Sequence, residues 1–206
     1  MNIKDTEFVV FDVETTGLSA QDGDRIVEIA AMKVKNGKVI DKFYSLVNPK
    51  RVVPPEATRI NNITEDMVAQ APTANEVLPK MVSFISGACV AGHNVRFDLG
   101  FLSYELALMG RKLNESTPAV DTLKMAKDLL PYLSNYRLSY LARSLGVTVN
   151  ETHRAMADVD LTVQVFIRMM EMASEQNLDD ITKFFTQFSV EKPSFKLASS
   201  VQASLF

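Results

Sequence analysis

The run Phe8-Val-Val-Phe-Asp-Val-Glu14 most constrains what this chain can fold into. From Phe8 to Val13 it is apolar and rich in β-branched residues, broken by one acid. Such a run reads as a central strand buried on both faces, in a sheet with helices packed against it. Asp12 and Glu14 end the run, and alternation places them on one face of the strand. They sit at its C-terminal end, where open α/β sheets usually build their sites. A buried carboxylate is costly unless it is paired or binds metal, so two at this position require an explanation.

The rest of the chain supplies the layers. Thr15-Thr-Gly17 breaks the first strand. Arg25 to Lys35 and Lys38 to Val47 read as two more strands, joined by the hairpin signal Asn36-Gly37. Pro49 to Thr64, with Pro54-Pro55, reads as a loop. Ala74 to Ile85 has a helical pattern, Ala88 to Ala91 is a short strand, and Asn94 to Met109 is a helix closed by Gly110. An edge strand is expected at Ala119 to Asp121, and helices at Leu123 to Leu130, Leu138 to Leu145 and Ala155 to Ala173. Leu178, Ile181, Phe184 and Phe188 mark a short amphipathic helix. From about Ser189 periodicity is lost and the chain reads as a flexible tail. The expected organisation is a domain over 1–175, the short helix over 176–188 and the tail over 189–206. Strands first and helix–strand alternation afterwards imply an α/β fold with a mixed sheet flanked by helices.

Helical phasing adds two more misplaced acids. Asp98 shares a face with Phe101, Leu102 and Met109, and Asp158 shares one with Leu161, Val165, Met169 and Met172. Asp160 falls with Gln164, Arg168 and Glu171 on a polar stripe and reads as solvated. Taken singly, Asp98 and Asp158 are equally well read as acids near helix starts. Together with Asp12 and Glu14 they form a candidate site for hard divalent cations. His153 lies in the loop or first turn before the helix of Asp158. The other histidine, His93, sits between a strand and a helix and reads as a structural hydrogen bonder.

Charge agrees with such a site. The net charge of −3 argues against a large basic groove for duplex nucleic acid. Removing the four negative charges of the site from −3 leaves +1, so bound cations would make the site itself electropositive. The single cysteine, Cys89, excludes an intramolecular disulfide and reads as a small core residue in a reducing compartment. With no apolar run long enough for a bilayer and no signal-peptide pattern at the N-terminus, a cytoplasmic location without membrane association is expected.

Phe11-Asp-Val-Glu-Thr-Thr-Gly17, His93-Asn-Val-Arg-Phe-Asp98 and His153-Arg-Ala-Met-Ala-Asp158 resemble, in order, the three motifs of the DEDD exonuclease superfamily in its histidine-containing form. The other branch has a tyrosine where this chain has Arg154. The resemblance covers roughly residues 7 to 173 and is strongest to the proofreading (epsilon) subunit of bacterial DNA polymerase III. It implies a ribonuclease H-like fold with a five-stranded mixed sheet whose second strand is antiparallel. It also implies two bound divalent cations, Mg²⁺ or Mn²⁺. Asp12 would bridge them, with Glu14 and Asp158 on the first and Asp98 supporting the second. His153 would take a proton from the attacking water, and 5′ mononucleotides would leave DNA 3′ ends. Thr15, Thr16, Gly17 and Leu18 would hold the terminal nucleotide, with Leu18 wedged against its base. Asn94 would cap its helix or touch substrate, and Phe97 would pack in the core. An RNA exonuclease, or a binding module associated with a clamp or polymerase, are the rival readings.

The chain ends Gln202-Ala-Ser-Leu-Phe206, which resembles the pentapeptide by which bacterial replication and repair proteins bind the sliding clamp. Gln202 would occupy one subsite, and Leu205 and Phe206 an apolar pocket. Expected partners are single-stranded DNA or frayed primer 3′ ends, the clamp, and a polymerase subunit.

Overall fold

A computed structural model describes residues 1–149 and 153–195. Strand β1 (Phe8–Thr15) is the centre of a five-stranded sheet. On one side it pairs antiparallel with β2 (Ile26–Lys35), which pairs antiparallel with the edge strand β3 (Lys38–Leu46). On the other it pairs parallel with β4 (Cys89–Gly92), followed by β5 (Ala119–Asp121) at the far edge. This is the expected ribonuclease H-like sheet, with its second strand antiparallel. Asn36 and Gly37 both take positive φ, 52° and 67°, as the tight hairpin between β2 and β3 requires.

Alternation along β1 divides the interior in two. Phe8 and Val10 face a core built with α5 (Thr122–Leu129), α6 (Leu138–Ser144), α7 (Ala155–Glu175) and α8 (Ile181–Phe188). Val9, Phe11 and Val13 face a second core formed with α3 (Ala74–Ile85) and α4 (Arg96–Leu108). The first core has an aromatic centre: the Phe8 ring lies 5.0 Å from Phe166 and 6.1 Å from Phe184, both edge-on. The short amphipathic helix is therefore part of this core, since Phe184 and Phe188 are fully buried in it. Cys89 is buried in β4 as expected, and burial pushes its thiol up to about 11.

Two segments differ from the sequence reading. The stretch from Pro49 to Thr64, read as a loop, contains α1 (Pro55–Asn61), and α2 (Glu65–Ala69) follows it. Pro55 stands at the start of α1, where its missing N–H costs nothing, so Pro54-Pro55 starts a helix rather than preventing one. The segment read as a tail from Ser189 is held against the domain as far as Phe195. Ser189 bridges to Val120, and Val190 N–H donates to the Ala119 carbonyl at 2.8 Å. The Lys192 ammonium donates to the carbonyls of Asn114, Glu115 and Thr117. Among the described residues, no helix is long and apolar enough to cross a membrane.

Because Phe166 joins β1 to α7 and α8, Phe166→Ala should destabilise the domain by about 3–5 kcal/mol. Urea unfolding followed by circular dichroism measures this.

Candidate active site

β1 extends past its parallel neighbour, because β4 pairs only with Phe8, Val9 and Val10. Asp12 and Glu14 continue the Phe8 and Val10 face, the side against which α7 packs. α7 presents Asp158 in its first turn. Asp12, Glu14 and Asp158 each offer a carboxylate oxygen, and these oxygens all lie within 4.8 Å of one another. Asp98, in the first turn of α4, is only 3% exposed, and its Oδ1 accepts the Val13 N–H at 3.0 Å. That N–H lies beyond the last residue paired with β4, so Asp98 takes the place of a strand neighbour. The four acids thus arrive at one end of one strand. Three form an open cluster, and the fourth bonds the backbone between Asp12 and Glu14.

Burial and mutual repulsion hold these groups toward their neutral forms. Burial raises Asp12 well above the usual carboxylate range, and the charges of Asp98, Glu14, Asp158 and Glu28 push the same way. Glu14 is raised from 4.5 to about 7, first by burial and then by Asp158 and Glu28, against the opposing pull of Arg154. Burial raises Asp98 to about 8 despite its Val13 hydrogen bond. Asp158 is raised by burial and drawn back by the His153 N–H and imidazole. Hard oxygen donors this close match the donor set of a divalent metal.

Glu28 completes the site and escaped the sequence reading. It lies opposite Glu14 in the β1–β2 register and is fully buried. Its Oε1 accepts from the Arg154 guanidinium and from the Tyr44 hydroxyl at 2.8 Å. Its Oε2 accepts the Ala155 N–H at 2.8 Å. One β2 carboxylate therefore caps α7 and sets how the chain enters that helix. The signal was present in the sequence: Glu28 interrupts Ile26-Val-Glu-Ile29 just as Asp12 interrupts β1.

His153 is exposed and precedes α7, as expected. Its backbone is left-handed, φ 69°, a strained conformation for a residue with a Cβ. It is held there by its N–H, which donates to Asp158 Oδ2 at 2.9 Å, and by Arg154 anchored on Glu28 next to it. Asp160 is exposed and accepts from Gln164, in keeping with a solvated role. His93 Nδ1 shares a 2.9 Å hydrogen bond with Thr122, the structural role expected of it.

The turn after β1 keeps its hydroxyls for itself. Thr15 donates to the Gly17 carbonyl at 2.6 Å, and Thr16 donates to Asp24 at 3.0 Å. A Cβ on Gly17 would meet Asp24 Oδ2 at 2.3 Å and would push that carboxylate away from the Thr16 hydroxyl and the Ser19 N–H it accepts from. Leu18 is 83% exposed beyond the turn. Asn94 does not cap the helix of Asp98. α4 begins at Arg96, and Asn94 stands outside it with φ 60° and its N–H on Asp121. Phe97 is half-buried, its ring 5.0 Å from Phe101, and therefore only partly a core residue. Gln202, Leu205 and Phe206 lie outside the described residues.

A model of the exonuclease family (RNase T) matches residues 9–166, which contain every acid of the cluster. The chain belongs to this exonuclease family. It is 36% identical over 193 residues to the PolC-type DNA polymerase III of Clostridium perfringens, covering 91% of this chain and 13% of that protein. It is 39% identical over 177 residues to that of Caldanaerobacter subterraneus subsp. tengcongensis, covering 86% and 12%. The chain thus spans about an eighth of the length of the curated relatives it matches. Exonuclease X in complex with 5′ overhanging duplex DNA superposes with a TM-score of 0.68 at 28% identity, over 85% of this chain and 99% of that one. E. coli Exonuclease I in complex with a dT13 oligonucleotide shares the fold, with a TM-score of 0.73 at 20% identity over 88% and 46%.

Two predictions follow from the charge balance. Raised folded-state values mean that the unfolded chain gives up these protons first, so metal-free stability falls as pH rises. For Glu14 the window runs from 4.5 to about 7, and for Asp98 from 3.8 to about 8. The metal-free Tm should therefore drop between pH 5 and pH 8, and added Mg²⁺ should restore it more at pH 8 than at pH 5; differential scanning fluorimetry reads both. Glu28→Ala should cost about 2–4 kcal/mol in urea unfolding. It leaves Arg154 and the Ala155 N–H without their partner, offset in part by removing a like charge from beside Glu14.

Proposed function

We propose that this domain is a metal-dependent 3′–5′ exonuclease releasing 5′ mononucleotides from single-stranded DNA or frayed primer 3′ ends, in a proofreading type of role. The observation that carries this reading is the cluster of Asp12, Glu14 and Asp158 within 4.8 Å at the end of β1. The polymerase III relatives and the DNA-bound Exonuclease X support DNA as the substrate.

Asp12, Glu14 and Asp158 would hold two divalent cations, Mg²⁺ or Mn²⁺, with Asp98 in support. When bound, these supply charge neutralisation of the terminal phosphate and a more acidic attacking water. His153 accepts the proton of that water as it attacks the terminal phosphodiester, a task suited to imidazole near neutral pH. The bond to the 3′ oxygen of the preceding nucleotide breaks, freeing a 5′ mononucleotide. The backbone of Thr15, Thr16 and Gly17 lines the terminal nucleotide, Leu18 wedges against its base, and Asn94 reaches the substrate from the β4–α4 turn. The protein works in the cytoplasm. Gln202, Leu205 and Phe206 dock on the sliding clamp, and a polymerase subunit is a further partner. Tethering of this kind raises the local concentration of a nuclease at a primer terminus.

Asp12→Ala should lower Mg²⁺-dependent mononucleotide release by about 10³-fold or more. His153→Gln should lower kcat by about 10²–10⁴-fold. Matched single-stranded DNA and RNA, with products resolved to the nucleotide, should show faster degradation of DNA; preference for RNA would overturn that part. Deleting residues 202–206 should abolish affinity for the clamp in a pull-down and leave nucleotide release from free DNA intact.

A further inference from the structure

Residues Ser189–Phe195 contribute little to either core, yet they are fastened to the domain by the bridge to Val120, the Val190–Ala119 hydrogen bond and the three carbonyls around Lys192. Their course ends with the Phe195 ring edge-on to Tyr104, centroids 5.3 Å apart, on the outer side of α4. There Phe195 forms one wall of a groove of about 250 Å³, whose other walls include Leu18, Arg96 and Phe97.

Three observations give this groove an occupant. It borders the terminal-nucleotide contacts proposed above, since Leu18 is one of its walls, and α4, which presents Asp98, supplies Arg96 and Phe97 to it. It carries an exposed Arg96 that makes no ion pair with another described residue. It also combines that cation with aromatic rings, the pairing by which proteins hold single-stranded nucleic acid without reading its sequence. Its volume is below the ~300–1,000 Å³ of pockets that enclose a whole small ligand, and suits one base of a strand that otherwise stays in solvent.

Building on the exonuclease reading above, we propose that this groove binds single-stranded DNA just upstream of the 3′-terminal nucleotide. Phe195 is its stacking platform and Arg96 its phosphate contact. The fastened segment is thus a substrate-binding strap that extends the site beyond the residues of the three motifs. It adds affinity for strands of two or more nucleotides and none for a single nucleotide.

The test compares two substrates: a 5′-labelled oligothymidylate, and a chromogenic aryl ester of thymidine 5′-monophosphate, which has no upstream base. Phe195→Ala should lower kcat/KM for the oligonucleotide about tenfold relative to the ester, mainly through KM, and Phe195→Tyr should restore it. Arg96→Gln should reduce the slope of log affinity against log salt by about 0.7, measured by fluorescence anisotropy on an Asp12→Ala background that does not consume the strand. An unchanged ratio for Phe195→Ala would overturn the proposal, and so would equal loss on both substrates, which marks a purely structural ring. Wild-type inactivity on both substrates would instead overturn the exonuclease reading itself.

Discussion

The mutual repulsion of carboxylates at the end of β1 is the constraint on which the rest of the site depends. Asp12 and Glu14 lie two residues apart on one face, Glu14 faces Glu28 across the β1–β2 pairing, and Asp158 closes on the same space from α7. Like charges directly opposite on a sheet are unfavourable, and burial adds to the cost. The domain tolerates this concentration because each element has another reason to be there. β1 and α7 share the Phe8–Phe166 aromatic core, and Glu28 is committed to Arg154, Tyr44 and the Ala155 N–H. Packing forces together groups that electrostatics drives apart. Charge balance returns through protons at low pH and through cations when these bind.

Glu28 and Asp98 show how structural and chemical roles divide among similar acids. Both are buried and both bond backbone N–H groups. Glu28 spends both oxygens on the start of α7, so its work is to fix the position of Asp158 and His153. Asp98 spends one oxygen on Val13 and stays close enough to Asp12 to raise it further. The strained backbone of His153 fits between these fixed points, because Arg154 on one side and the Asp158 carboxylate on the other leave its φ little freedom.

Much of this was legible in the sequence because burial leaves a mark there. An acid inside an apolar strand, or on the apolar side of a helix, has few ordinary explanations, and Asp12, Glu14, Asp98 and Asp158 all carried that mark. Glu28 carried it too, but without a motif beside it the same signal passed as part of a strand. The loop containing Pro54-Pro55 was misjudged because proline both breaks and begins helices, and only the following residues decide which. α1 is also short, closed by Asn62 in the left-handed conformation, and offers little periodicity to read. The fastening of Ser189 to Phe195 was invisible for a different reason. It depends on backbone pairing with β5 and on one lysine reaching three carbonyls, and neither leaves a pattern in composition.

The central claim is that the carboxylate cluster exchanges protons for divalent cations. The most direct measurement is a pH-stat titration of metal-free protein with Mn²⁺ near pH 6.5, with bound ion counted by electron paramagnetic resonance. Burial raises Glu14 to about 7 and Asp98 to about 8. Binding should therefore release protons in step with Mn²⁺ uptake. Both signals should be lost together in Asp12→Ala. Mn²⁺ uptake without proton release, or uptake unchanged in Asp12→Ala, would contradict the account.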